Sequence, residues 1–280
     1  MDTIRRLPDG GGRLDSESMG TISVVIPCLD DASFLADCLA AVSRQTRPAD
    51  EVIVVDNGST DDSVAVANAA GARVLVEPRR GIWPATAAGF DAARGDLLAR
   101  LDADSVPPPD WLARIEQRMA SADRPTAITG PGAFYGGTRV TRWIARNLYI
   151  GGYVHVVGFV LGHAPIFGSN YAIRSEAWRE LRGIVHRDRA DVHDDLDLSW
   201  WMQPGMTVAY EPTLVVGVSA RPFHSWAGLG RRLRMAFHTL AVEWRAWPPL
   251  ARRADRRRAP GPMPRRGTDA RQSSRERPDS

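Results

Sequence analysis

Short apolar runs and amphipathic stretches alternate along the first 120 residues of the chain. Apolar runs rich in β-branched residues, bounded by Pro, Gly, Asn or Asp, predict buried strands at 21–27, 51–55, 73–76 and 97–101. Apolar positions at helical spacing between and after them predict helices at 32–45, 62–70, 81–94 and 110–119. This alternation with short connections predicts an α/β fold, a mostly parallel sheet flanked by helices on both faces.

The pattern becomes mixed after residue 125. It predicts strands at 127–130, 169–174 and 207–217 and helices at 175–182, 194–203 and 226–246, with 139–160 helical at first and then irregular. Residues 1–20 are expected to be flexible. From residue 248 the chain is rich in Pro, Arg, Gly and Ser, which cannot bury a core, and it is expected to be a disordered basic tail.

Charge and cysteine content narrow the class of protein. Residues 251–280 carry ten Arg against four acids, a net of +6 within a total of +3, which leaves −3 for the rest of the chain. A body without excess positive charge argues against a specific nucleic-acid partner. Cys28 and Cys38 are predicted to be buried thiols in a reducing compartment, which makes a cytoplasmic location the expectation. No signal peptide is expected, and Trp143 to Leu161 is too polar to cross a bilayer.

Acidic residues follow three of the predicted strands. Asp102-Ala103-Asp104 comes directly after 97–101, Asp56-Asn57-Gly58-Ser59 ends the second strand, and Pro27 to Asp30 ends the first. Two carboxylates one residue apart can hold Mg²⁺ or Mn²⁺, which would neutralise a departing diphosphate. Alone, the Asp102–Asp104 pair more often marks an acidic turn or a helix cap. Because parallel strands end at one edge, and crowded carboxylates repel, the three groups together indicate a cation and a ligand rich in hydrogen-bond donors.

A fourth acidic group, Asp194-Asp195-Leu196-Asp197, lies in the second half of the chain. It fits the capped start of a helix, and it also fits a general base that deprotonates a hydroxyl. The residues alone leave both interpretations open.

Residues 21–220 as a whole resemble glycosyltransferase family 2, an inverting family with the GT-A fold that uses nucleotide-sugar donors. The likeness runs from TISVVIPCLDD through EVIVVDNGSTDDS, and then LDADS, TGPG at 129–132, GSNYAIR at 168–174 and HDDLDLSW at 193–200 follow in the family's order. It implies a nucleotide-binding half at 21–125 and an acceptor-binding half at 126–247 of one domain.

The resemblance also implies roles on the donor side. Asp30 and Asp56 would contact the base and ribose, and the backbone of Pro27 would shape their pocket. Asp102 would face the ribose or donor sugar, and Asp104 would bind the divalent cation, Mn²⁺ or Mg²⁺. UDP is the favoured nucleotide.

Further roles follow for the second half of the chain. Asp195 would be the catalytic base, and Asp194 occupies the position of the family's preceding Glu. Gly168, Ser169 and Asn170 would line the donor-sugar and acceptor side, and His224 would be a second metal ligand.

Two departures from the family pattern change these expectations. The family's arginine after the third strand is absent from residues 84–89, so Arg80 is expected to make a diphosphate contact. The Gln-x-x-Arg-Trp element of processive members is absent, which favours transfer of a single sugar to a hydroxyl acceptor. The arginine- and tryptophan-rich helix at 226–246 fits either packing on the domain or peripheral contact with the inner face of the cell membrane.

Two other functions fit the sequence less well than sugar transfer. A nucleotidyltransferase would carry a glycine-rich basic loop after the first strand, whereas this loop reads CLDDAS. A non-catalytic binding protein of the same fold would lack acids that this chain retains.

Overall fold

The computed structural model describes residues 20–136, 157–221 and 226–258. Its strands are β1 (Ile22–Cys28), β2 (Glu51–Asp56), β3 (Arg73–Val76), β4 (Leu97–Arg100), β5 (Ser105–Val106), β6 (Ala127–Thr129), β7 (Gly132–Tyr135), β8 (Tyr171–Arg174), β9 (Val208–Tyr210) and β10 (Val216–Ser219). Its helices are α1 (Ala32–Ser43), α2 (Ser63–Ala69), α3 (Ile82–Ala92), α4 (Trp111–Met119), α5 (Gly158–Leu161), α6 (Ser175–Leu181), α7 (Asp194–Trp201), α8 (Trp226–Ala246) and α9 (Pro249–Arg258).

A seven-stranded sheet forms the centre of the fold, in the order β3-β2-β1-β4-β8-β6-β9. The first four of these strands are parallel to one another, with Val24 opposite both Val52 and Ala99. β8 is antiparallel to both β4 and β6, and β9 is parallel to β6. The predicted α/β class is therefore confirmed: the first half is parallel and the second half mixed.

Alternation along β1 distributes the core over both faces of the sheet. Ile22, Val24 and Ile26 pack on one face with residues of α1 and α4, whereas Val25 packs on the other with residues of α3. All seven residues of β1 are buried, as expected of a central parallel strand. The sheet therefore holds β1 rigidly at its centre, and the loop that follows β1 starts from a fixed point.

A second, three-stranded sheet in the order β5-β10-β7 departs from the predicted elements. The predicted strand at 207–217 is two strands, β9 and β10, which belong to different sheets. A turn separates them, because the Glu211 carboxylate accepts hydrogen bonds from the Thr213 N–H at 3.2 Å and its hydroxyl at 2.7 Å. Two-residue β5 and four-residue β7 are too short to show an alternating pattern.

Helix α9 differs from the prediction of disorder that began at residue 248. Its arginines replace the apolar residues that such a helix normally needs. Arg252 is buried and donates to the carbonyl oxygen of Trp200 at 2.8 Å, and Arg256 donates to that of Met206 at 2.7 Å. The guanidinium groups thus satisfy carbonyl oxygens in and beyond the last turn of α7. The rest of the predicted tail, 259–280, lies outside the described residues, as do the predicted flexible residues 1–19 and most of 139–160.

Several local predictions hold. Cys28 and Cys38 are buried free thiols. α8 spans the predicted range. Within the described residues, no helix combines the length and the apolar character needed to cross a bilayer.

We predict that Gly89→Ala destabilises the protein, because α3 lies directly against β1 and β2 at this residue. A Cβ there would lie 2.3 Å from Cγ1 of Val25 and 2.9 Å from Cγ2 of Val55. Overpacking of a core contact costs about 1–3 kcal/mol, against a gain of about 1 kcal/mol from alanine's helix propensity. Urea unfolding measures the net loss. Gly183→Ala is the control, since its Cβ would meet nothing within 4 Å; equal midpoints for the two variants would contradict the packing argument.

Candidate active site

The acidic residues after β1, β2 and β4 lie at one edge of the central sheet. These three strands are adjacent and parallel, so their carboxyl ends point the same way. Asp30 follows β1, Asp56 ends β2 and Asp102 follows β4. The strand order therefore produces the convergence that the sequence predicts, in the place where open α/β sheets bind ligands.

Asp30 and Asp56 shape the loops at this edge. Asp30 has a left-handed backbone, with φ 51°, and its Oδ1 accepts from the Thr60 backbone N–H at 2.6 Å. Asp56 is buried and accepts from the backbone N–H groups of Ser59 at 3.0 Å and Gly58 at 3.3 Å. The two carboxylates thus hold the 56–60 turn beside the end of β1, where Pro27 lies opposite Val55.

Arg80 lies against the same turn. Its Nη1 donates to the carbonyl oxygen of Asn57 at 2.6 Å and to that of Gly58 at 3.2 Å. Asn57 in turn donates to the carbonyls of Glu77 and Arg79, both at 2.8 Å. Arg80 is exposed, so one guanidinium group both fixes the turn and adds positive charge at the sheet edge.

Arg100 joins the two acidic motifs of the chain, and sequence reasoning missed it. This last residue of β4 is 1% exposed, and its Nη2 lies 2.8 Å from Oδ1 of Asp102 and 3.2 Å from Oδ2 of Asp194. Although burial opposes the charge, these carboxylates hold the pKa of Arg100 above its usual value. An arginine closing the apolar run Leu97-Leu98-Ala99 was the available signal, because a buried charge requires partners.

The predicted segment 168–170 completes this network. Ser169 donates its hydroxyl to Oδ2 of Asp102, and the backbone N–H of Gly168 donates to Oδ2 of Asp195 at 3.0 Å. A Cβ on Gly168 would lie 3.0 Å from Nη1 of Arg100 and 3.1 Å from Asp195 Oδ2. Only glycine therefore lets the backbone approach both charged groups without displacing them.

Asn170 makes contacts within the protein through both ends of its amide. Its Oδ1 accepts from Trp111 Nε1 at 2.9 Å, and its Nδ2 donates to the carbonyl oxygens of Leu214 at 2.5 Å and Pro131 at 3.2 Å. It is fully buried. Asn170 thus fixes the loops around the site, and its predicted contact with substrate remains a prediction.

Asp195 forms a charged pair with His193. Oδ1 of Asp195 lies 2.8 Å from Nδ1 of His193. Burial alone would raise the pKa of Asp195, but the His193 charge, the Gly168 N–H and Arg100 lower it below its usual value. Burial would likewise lower the pKa of His193, yet Asp195 and then Asp194 raise it well above the usual value. Each of the two groups therefore favours the charged form of the other.

Asp104 has a different environment. Burial and the charge of Asp102 raise its pKa to about 6, although Arg221 acts in the opposite direction. Nη2 of Arg221 lies 3.1 Å from Oδ2 of Asp104, its Nη1 lies 2.7 Å from Oδ1 of Asp31, and the guanidinium carbon lies 3.8 Å above the ring of Phe34. The carboxylates around Asp104 thus make the local charge negative, although Arg221 already forms an ion pair with Asp104. This matches what a hard divalent cation requires.

Two other groups of described side chains bring three possible metal-binding atoms within 4.8 Å of one another: His186, Asp197 and Glu243, and His193, Asp194 and Asp195. Burial followed by the proximity of Asp197 raises the pKa of Glu243 to about 10, so that carboxyl carries a proton. Arg100 supplies the positive charge beside the second group. We assign no ion to this second group. His224, the other predicted ligand, lies outside the described residues.

We predict that Arg100→Met lowers the free energy of unfolding by about 3–5 kcal/mol, because it leaves partly buried Asp102 and buried Asp194 without their counter-charge. The control is Arg114→Met, whose partner Asp110 lies at 2.7 Å in a pair with side chains 41% and 44% exposed. Such exposed pairs contribute at most about 1 kcal/mol. Urea unfolding of both variants checks the difference, and similar losses would show that Arg100 is not the electrostatic link described above.

Solved glycosyltransferase structures share this fold. Glucosyl-3-phosphoglycerate synthase from Mycobacterium tuberculosis, crystallised with Mn²⁺, UDP and phosphoglyceric acid, is 26% identical with a TM-score of 0.58, covering 80% of this chain and 78% of that one. Mannosyltransferase PcManGT from Pyrobaculum calidifontis, in complex with GDP-Man and Mn²⁺, is 22% identical with a TM-score of 0.63, covering 86% and 70%. These matches confirm the expected GT-A architecture.

Sequence comparison agrees with the fold. An uncharacterized glycosyltransferase of Mycobacterium bovis is 45% identical over 134 residues, which are 45% of this chain and 60% of that protein. The chain thus spans about 60% of the length of this curated relative. The family model for glycosyl transferase family 2 matches residues 23–180, more than half of the chain and the segment that holds Asp30, Asp56, Arg100, Asp102 and Asp104. The chain belongs to glycosyl transferase family 2.

Proposed function

We propose that this chain transfers one sugar from a nucleoside-diphosphate donor to an acceptor hydroxyl, with inversion at the anomeric carbon. The observation that carries the proposal is the arrangement at one sheet edge. Asp104 carries excess negative charge, and Arg100 links its neighbour Asp102 to the Asp194–Asp195 pair. Arg100 would thereby connect the site for the charged leaving group, at Asp102 and Asp104, with the site for proton removal, at Asp194 and Asp195.

The donor half of the site is proposed to lie between the loops after β1 and β2. Asp30 and Asp56 would meet the base and ribose, beside the backbone of Pro27. The 56–60 turn is held firmly by the hydrogen bonds of these two carboxylates, which pre-organises a pocket for a flat ring. Arg80 would contact the diphosphate from the rim. UDP is the favoured nucleotide, in keeping with the UDP-bound M. tuberculosis enzyme at 26% identity.

Asp104 is proposed to hold a divalent cation, Mn²⁺ or Mg²⁺, together with His224. The residues present fit such an ion. Asp104 offers a hard oxygen donor, and the negative potential around it already binds one positive group, the guanidinium of Arg221. When bound, the ion would neutralise the diphosphate as it leaves. Asp102, engaged by Arg100 and Ser169, would be oriented toward the donor sugar.

The acceptor half is proposed to lie around Gly168, Ser169 and the start of α7. The carboxylate of Asp195 would be the catalytic base. The ion pair with Arg100 would hold Asp194 in position beside it. Lowered pKa values keep a carboxylate ionised at neutral pH, as a proton acceptor must be. Asn170 would line the edge of the pocket for the donor sugar and the acceptor.

Peripheral contact with an anionic membrane surface is proposed for the face of α8 that the domain leaves uncovered. Phe237 is 70% exposed and Trp244 54% exposed, and Arg245 beside them is exposed as well. Exposed aromatics next to arginine suit the boundary between lipid headgroups and acyl chains.

We expect a Mn²⁺-dependent rise in melting temperature with one of UDP, GDP, dTDP and CDP, because a ligand that binds only the folded state stabilises it by mass action. Asp104→Asn should remove the dependence on Mn²⁺. Glu180→Gln, the same change at an exposed residue of α6, should leave it intact. Failure of all four nucleotides to stabilise folded protein would contradict the donor site.

A second expectation concerns pH. Since the pKa of Asp104 is about 6, protons compete with the cation below that value. The apparent dissociation constant for Mn²⁺, measured by calorimetry, should rise about tenfold between pH 7 and pH 5. Arg221→Met should move the midpoint of this change to higher pH, because it removes the charge that lowers this pKa. A Mn²⁺ affinity that is constant between pH 7 and pH 5 would exclude Asp104 as the ligand.

A further inference from the structure

His186, Asp197 and Glu243 bring one imidazole nitrogen and two carboxyl oxygens together from α7, α8 and the segment between α6 and α7. We propose that this group is a structural site for a zinc ion, with ligands different from those of the cation proposed at Asp104. The ion would join α8 to α7. The zinc site does not depend on the proposed sugar transfer, in which none of its three ligands has a part.

The candidate ligand atoms meet at Nδ1 of His186. This atom lies 3.0 Å from Oδ1 of Asp197 and 3.1 Å from Oε1 of Glu243. Two atoms bound to one zinc ion at about 2.0–2.1 Å and at a tetrahedral angle are about 3.3 Å apart. The two distances at Nδ1 would therefore have to widen by only about 0.2–0.3 Å to accept the ion.

Glu243 is the residue whose surroundings point most directly to a ligand. It is 0% exposed, and neither of its carboxyl oxygens has a hydrogen-bond partner in the part of the chain that the structure describes. The indole N–H of Trp201 is near enough to lower the pKa of Glu243, but Nε1 of Trp201 has no hydrogen-bond partner there either. Burial of a carboxyl group without partners costs free energy, and a bound cation would offset that cost.

The charges around the group favour a divalent cation. Among the described residues, His186 is the only basic side chain in an ion pair with Asp197 or Glu243. Arg189 acts on Glu243 from a distance and pairs with Asp191 at 2.6 Å instead. Two carboxylates and a neutral imidazole carry two negative charges, which one Zn²⁺ balances. Zinc would take the place of the proton on Glu243, because a metal ligand must be deprotonated.

Asp197 has the outer hydrogen bonds that orient a metal-binding carboxylate. Its Oδ2 accepts from Nε1 of Trp83 at 2.6 Å and from the backbone N–H of His186 at 2.7 Å. Oδ1 therefore faces the imidazole from a fixed position. Outer partners of this kind set the direction of a ligand before the metal binds.

The ligand types select zinc over the other common divalent cations. An imidazole nitrogen suits zinc, whereas Mg²⁺, Ca²⁺ and Mn²⁺ prefer carboxylate, carbonyl and water oxygens. The side chain of His186 is 26% exposed, while those of Asp197 and Glu243 are 0% exposed. The imidazole side of the group therefore offers the ion a path from solvent.

The ion would strengthen a contact between two helices. The Thr239 hydroxyl on α8 accepts the backbone N–H of His193, just before α7, at 2.9 Å. Glu243 lies one turn further along α8, and Asp197 lies one turn further along α7. Zinc would thus add a second link one turn along both helices, and would hold α8 beside the helix that carries Asp195.

Zinc titration of the full chain, without nucleotide, tests the site. Every protein carries Asp104→Asn, which removes the proposed donor-site ligand, and is treated with a chelator and dialysed before use. We expect calorimetry to detect zinc binding and the melting temperature of this parent protein to rise with zinc. His186→Gln and Glu243→Gln should each weaken zinc binding by at least about tenfold, since even the loss of an outer partner has that effect.

His238→Gln is the matched control. His238 also lies on α8, but it is exposed and pairs with Asp191 at 3.0 Å, so its loss should leave the zinc affinity unchanged. Melting without zinc distinguishes a lost ion from a damaged fold. Glu243→Gln replaces a protonated carboxyl group by an amide of similar shape, and its metal-free melting temperature should stay near that of the parent. Zinc should slow amide hydrogen exchange along α8 in the parent and not in Glu243→Gln.

Two results would contradict the zinc site. The first is a folded parent that binds no zinc, or binds it as tightly as both ligand variants do; since the two variants change different elements, one that folds is enough. The second is Mg²⁺ binding that is as tight as zinc binding and equally sensitive to the two variants, which would show that the ion is wrong. Neither result bears on the donor site, because nucleotide stabilisation with Mn²⁺ is measured separately in the wild type.

Discussion

The buried guanidinium group of Arg100 is the contact on which the rest of the site depends. It lies at the end of the central parallel strands and meets Asp102 of one motif and Asp194 of the other, 92 residues apart by their numbers. Two carboxylates brought together without a counter-charge would repel each other and lose hydration. With Arg100 between them, the carboxyl edge of the central sheet and helix α7 become one electrostatic unit.

The neighbouring acids are likewise each paired with a positively charged side chain. His193 compensates Asp195, and Arg221 compensates Asp104 and Asp31. The difference lies in exposure: Arg100 is sealed inside, whereas Arg221 is 40% exposed at its side chain. An exposed guanidinium group exchanges partners more readily than a buried one, which is why the proposed cation site is placed at Asp104.

The first half of the fold was predictable because its strands are continuous apolar runs that need no knowledge of their partners. The strand-end acids Asp30, Asp56 and Asp102 followed from the same pattern. Arg100 and Arg221 were missed, because each pairs with an acid that is far away along the chain. The three-stranded sheet was missed because β5 has only two residues and β7, Gly132–Tyr135, has no β-branched residue. α9 was missed because its contacts are made by arginine and not by apolar side chains.

Helix α9 also shows what the basic residues of this chain contribute. All 36 of them are arginine, and the chain contains no lysine. Arg252 donates to the carbonyl oxygens of Leu161, Ser199 and Trp200 from a single planar group. An ammonium group on a flexible stem has three donors at one point and cannot span such separated acceptors. Arginine at position 252 is therefore a requirement of how α9 packs on α7, and lysine would be no conservative exchange there.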